Sequence, residues 1–164
     1  MYIMRAVILA LALVLLSLSS STAVLRSTYK EALTNPEKVA QLARTAKTQL
    51  NTAVGKAYYA TALGFEARDS YVPTTKYSKA TEAWTYFEQA VRQNPNDAEI
   101  RFLRFSFACE TPSMLGMKTY LQDDINFLIS HKQELIGHGL ASTIQQYCST
   151  CDCLTATQKA SLRF

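Results

Sequence analysis

Along this chain apolar residues recur at three- and four-residue steps, the spacing that lines up one face of an α-helix. Valine, isoleucine and threonine never alternate with polar residues over a useful length, so strand signals are missing. Five glycines and four prolines punctuate 164 residues, which leaves room for long helices. The expectation is an all-α fold of about six to eight helices, arranged as stacked antiparallel hairpins.

The punctuation places the elements. A short first helix after Ser27 holds Tyr29, Ala32 and Leu33. Asn35 and Pro36 then read as N-cap and first-turn proline of a helix striped by Val39, Leu42, Ala43, Ala46 and Leu50. Residues 52–69 continue that helix or form the next, and Gly55 and Gly64 mark points where backbones can approach closely. Residues 70–78, around Pro73, read as a loop. Ala80, Ala83, Trp84, Phe87, Ala90 and Val91 carry a helix that Asn94 and Pro95 end. Asn96 with Glu99 has the spacing of a capping box ahead of a segment that is apolar around most of its circumference, hence central and buried. After a loop at 111–118, Thr119 with Gln122 repeats that spacing before the stripe Leu121, Ile125, Leu128 and Ile129. A further helix carries Leu135, Ile136, Leu140, Ile144 and Tyr147, its first turn weakened by Gly137 and Gly139. Thr155 with Gln158 opens a last short one.

Ahead of all this, Arg5 precedes an apolar run from Ala6 to Leu16, and a small, polar stretch ends at Ala23. That is the layout of a secretory signal, with Ser21 and Ala23 at the small positions of a cut before Val24. Residues 1–23 are therefore expected to be removed, the alternative being that they stay as an uncleaved anchor. Residues 24–164 are expected as one helical domain: N-terminal helices at 24–50, a core at 51–133, and C-terminal helices with a cysteine cluster at 134–164. The expected location is periplasmic or secreted. The apolar run falls short of the roughly 20 residues that span a bilayer, and no second run follows, so no stable membrane span is expected after cleavage. The net charge of +4 is spread without a lysine or arginine block, which speaks against nucleic acid as a partner.

Export changes the meaning of Cys109, Cys148, Cys151 and Cys153, because thiols outside the cytoplasm are normally oxidised. Structural disulfides are the favoured reading, joining Cys109 to the C-terminal cluster with its partner left open. Zinc would need four ligands, with Cys109 or His138 completing the cluster. A redox CxxC would normally begin a helix in a βαβ setting, whereas this one ends a helix. No cofactor is called for, and attachment of a c-type haem is excluded because Asp152 follows Cys151.

The segment Ala83, Phe87, Ala90, Pro95 reads A-x3-F-x2-A-x4-P, which resembles the second-helix half of a tetratricopeptide unit. The first-helix half lacks the matching tryptophan, leucine and glycine. Over a longer span, AYYATALGFEARDSYVP, EQAVRQNPNDAEIRFLRFS, TPSMLG and DDINFLIS are together similar to a family of small exported helical proteins from Bacteroidetes that has no assigned activity. The resemblance implies the helical fold and the exported location, and adds no catalytic residue.

Candidate binding residues are Arg101 and Arg104, three apart on one helix face, where they form a fork for a carboxylate or phosphate. The alternative is internal pairing with Asp123, Asp124, Glu82 or Glu88. Tyr58 and Tyr59 lead an aromatic group with Tyr71, Tyr77, Trp84 and Tyr86, of the kind that anchors partners or fills cores. No serine-hydrolase elbow, phosphate loop or HExxH motif is present, so no catalytic residue is named. The expected function is a module that binds a protein or peptide in a groove between hairpins, without intrinsic catalysis. The rival is a small carrier or sensor of an apolar or metal ligand, using Phe102, Phe105 and Phe107 or the cysteines.

Overall fold

The computed structural model describes residues 21–164, and every regular element among them is helical. Helix α1 covers residues 21–32, followed by α2 (Glu37–Lys47), α3 (Ala53–Asp69), α4 (Pro73–Gln93), α5 (Ala98–Glu110), a 3-10 turn at Ser113–Leu115, α6 (Leu121–Gly137), α7 (Ala141–Thr150) and α8 (Ala156–Ser161). The readings placed on residues 1–20 lie outside the described residues. None of the described helices is long and apolar enough to cross a membrane.

Helix α1 is already formed before Ser27, earlier than the sequence pattern places it, with Leu25, Thr28, Tyr29 and Ala32 buried. Asn35 Oδ1 accepts from the Glu37 amide at 3.0 Å just ahead of α2, where Pro36 and not Asn35 holds the N-cap position, one residue later than the sequence reading has it. A turn at 48–52 separates α2 from α3, which Thr52 caps by accepting from the Gly55 amide at 3.0 Å. Helix α3 is alanine-rich and buried nearly all round, because small side chains let α2, α4 and α5 close on it from three sides. It is thus as central as α5.

Gly55 lets the 48–52 turn fold closely onto the start of α3. A Cβ there would stand 2.1 Å from the Gln49 carbonyl oxygen, an atom fixed in the backbone. Gly55→Ala is expected to cost about 3 kcal/mol of stability, measured as a fall in the urea midpoint. Gly64 faces the Phe107 ring instead, 2.9 Å from a built Cβ, so the backbone approach expected there is a side-chain contact.

Further boundaries differ from the sequence reading, including the single helix expected over Leu135–Tyr147, which is broken between α6 and α7. The loop at 70–78 is only Ser70 to Val72: Pro73 sits in the first turn of α4, and the polar stretch after it is helix that overhangs into solvent with no apolar stripe. Asp97, not Asn96, caps α5 by accepting from Ile100, which frees Glu99 to turn inward. Thr119 donates to the Gly116 carbonyl and Gln122 reaches Asn126, so no capping box opens α6. Helix α6 then runs on through a kink at His131 to Gly137, and Gly139, at φ 66°, turns the chain into α7. The division drawn at 133/134 therefore falls inside a helix. The Thr155–Gln158 box of α8 forms as expected.

Helices α3 and α4 make the most extensive pairing, through a three-residue turn that forces them antiparallel. Helix α5 lies against both and pairs in turn with α6. Ala83, Phe87 and Ala90 are fully buried in this stack, and one apolar core runs from Leu25 to Leu162.

Candidate functional site

Helices α5 and α6 bring Arg101 and Arg104 together on one acid. Arg104 grips Asp124 with both arms, Nε to Oδ2 at 2.8 Å and Nη2 to Oδ1 at 2.7 Å, while Arg101 Nη1 reaches Oδ1 at 2.8 Å. Asp124 is 1% exposed, so this is the internal pairing, and an incoming anion would have to displace a buried carboxylate. The guanidiniums also lie over aromatic faces, Arg101 over Phe127 and Arg104 over Tyr120. They border an open hollow of about 340 Å³ with Glu88, Arg92, Tyr120 and Asp123.

Tyr58 is fully buried and gives its hydroxyl to Glu99, so it presents nothing to a partner. Tyr59 is half-buried, packed edge-on to Tyr86, and lines a second shallow hollow between α2, α3 and α4. Phe102 and Phe105 are fully buried around Tyr147, and Phe107 packs on Phe87 and Trp84. The three rings are filled core, not the lining of a pocket.

Sequence reasoning missed a buried charge cluster. Glu99, with a fully buried side chain, takes Arg26 Nε at 2.9 Å and Arg26 Nη2 at 2.6 Å, besides the Tyr58 hydroxyl. His138 Nδ1 lies 3.2 Å away, without the alignment of a hydrogen bond. Burial alone would push this carboxyl up; Arg26, His138 and Tyr58 more than reverse that and bring it down to about 2. A glutamate inside the apolar run AEIRFLRFSFA was the available signal, absorbed by the capping reading.

Cys109, at the end of α5, is joined by a disulfide to Cys153 after α7, with Cα atoms 6.0 Å apart. The open question of its partner is thereby answered. Cys151 Sγ sits 2.9 Å from Cys109 Sγ and 3.1 Å from Cys153 Sγ. Cys148 is buried outside this trio, and burial, then the nearby Cys151, pushes its thiol up to about 12. His138 lies beside Glu99 and is not among the residues that converge on these sulfurs.

Exposed apolar side chains gather elsewhere. Tyr71 is 99% exposed, Met114 91%, Tyr77 60% and Val72 53%. All four lie on the α3–α4 turn, the overhang of α4, or the α5–α6 connection. Met117 from that connection packs on Ala67 of α3 and Ala80 of α4, which sets both hairpin tips at one end of the stack. Tyr71 and Tyr77 were read only as members of the aromatic group, because periodicity does not report which turns overhang.

Compared with protein-family models, with curated proteins and with solved structures, the chain matches none.

Proposed function

We propose that this is an exported helical-hairpin protein of tetratricopeptide type that binds another protein or peptide, without chemistry of its own, through the tips of its hairpins. The observation that carries the reading is the grouping of Tyr71, Val72, Tyr77 and Met114, uncovered, at one end of the stack. Tyrosine offers a large, stiff, amphipathic contact surface, and isolated apolar exposure is ordinary where grouped exposure is not. The pairing of α3 with α4, and of α5 with both, supports the hairpin-repeat reading. Internal pairing of Arg101 and Arg104 supports a surface at the tips over one in the groove.

The test is native mass spectrometry of the protein purified from its own host, beside a Tyr71→Ala, Tyr77→Ala, Met114→Ala variant. The variant is expected to keep its stability to within about 0.5 kcal/mol, since these side chains touch little. It is expected to lose a bound polypeptide, at about 2 kcal/mol for each tyrosine that acts as an anchor. A complex equally abundant in both would sink the tip reading. A mature chain starting at Val24 in the same spectra would support export, and an intact N-terminus would count against it.

A further inference from the structure

Three sulfurs on two separate elements converge here on one point. Cys109, Cys151 and Cys153 have their Sγ atoms within 4.8 Å of one another, and Cys151 stands almost equally far from the other two. A thiol poised to attack a disulfide lies in line with the bond and so is near to one sulfur and far from the other. With the bond opened, three sulfurs that all lie within 4.8 Å of one another form a donor set that one cation can share. We infer that, once the Cys109–Cys153 bond is reduced, Cys109, Cys151 and Cys153 form a three-thiolate site for one soft monovalent cation, Cu(I).

Ligand type and count select the ion. Thiolates favour Cu(I) and zinc over hard cations, and structural zinc takes four protein ligands. Among the described residues the cluster holds three, with Cys148 outside it and Asp152 exposed. The backbone is defined at each ligand: Cys109 ends α5, Cys151 caps α7, and Cys153 precedes the capping box of α8. Charge is complementary as well. Three thiolates and one monovalent cation leave a net two negative charges, and two ammonium groups stand on the backbone of the same segments. Lys118 Nζ is 3.3 Å from the Cys109 carbonyl, and Lys159 Nζ is 3.2 Å from that of Ser149.

The steps balance. A dithiol reductant opens the Cys109–Cys153 bond, leaves two thiols and becomes a disulfide itself. Cu(I) then displaces the thiol protons to water with no change in its oxidation state. Exchange with an external disulfide oxidant, which takes two electrons and two protons and leaves as two thiols, restores the Cys109–Cys153 bridge; Cys151 regains a proton and the ion is expelled.

The test titrates the reduced, desalted full chain, without oxygen, against Cu(I) held by a chromophoric chelator, with Zn(II) in parallel and helicity followed by circular dichroism. The reduced chain is expected to withdraw one Cu(I), Cys148→Ser to do the same, and Cys151→Ser to lose that uptake. Cys151→Ser retains the Cys109–Cys153 bridge when oxidised, so an unchanged melting temperature in that state shows that its fold is intact. If reduction unfolds the chain, restoration of helicity by Cu(I) supports the site. The inference is overturned if Cu(I) is not withdrawn, if it fails to restore an unfolded reduced chain, if Cys151→Ser retains uptake, if Cys148→Ser loses it, or if only Zn(II) is taken.

Discussion

Replacing Glu99 with alanine is expected to lower the free energy of unfolding by about 4 kcal/mol, because it leaves Arg26 and the Tyr58 hydroxyl without their buried acceptor. Its carboxylate also writes a signature into the pH dependence of stability. The folded pKa falls from an ordinary 4.5 to about 2, so the stabilisation is complete above 4.5 and is lost as pH falls through 2. A difference of that size corresponds to about 3 kcal/mol. Urea unfolding of the parent and of Glu99→Gln, between pH 7 and pH 2, is the measurement. The gap in stability between them is expected to be constant above pH 4.5 and to close below it. A gap independent of pH would mean that Glu99 is not held as a carboxylate.

Cys109→Ser should cost about 4 kcal/mol under oxidising conditions, the loop-closure value for cysteines 44 apart in sequence. The difference should vanish when both proteins are reduced. Cys109 is the informative position because it belongs to every bridge between α5 and the tail. A Cys153→Ser chain still has Cys151 with its sulfur beside that of Cys109, and is expected to re-form a bridge there with most of the stability kept. Peptide mapping after alkylation distinguishes the two, and a Cys153→Ser chain with Cys109 fully alkylated would contradict it.

How far the sequence could be read follows the distance over which each interaction acts. Thr155 and Gln158 are three residues apart, and their mutual cap forms as their spacing indicates. Asn35 accepts from the first amide of α2, and Asn94 and Pro95 stop α4, for equally local reasons. The error at 70–78 has the same origin in reverse. An exposed helical overhang that buries nothing carries no stripe, so its hydroxyls and proline look like a loop. At Asn96 and Glu99 two local rules competed, and the cap went to Asp97 because Glu99 had a stronger use inside.

Periodicity, caps and proline stops by themselves determined that residues 21–164 fold as helices and where several of those helices begin or end, whereas the expectation of export is what pointed Cys109 toward the C-terminal cluster. Only the tertiary structure decided which charges and sulfurs meet. Arg26 reaches Glu99 across 73 residues and Arg104 reaches Asp124 across 20, while Cys109 takes Cys153 over Cys151, two residues away in the chain. The reason is physical: a helix reports on neighbours three and four residues away, whereas a buried charge or thiol takes the partner that packing of distant helices brings within about 3 Å. Packing likewise sent Tyr58 to the interior and left Tyr71 in solvent, a difference between two tyrosines that their local sequence does not contain.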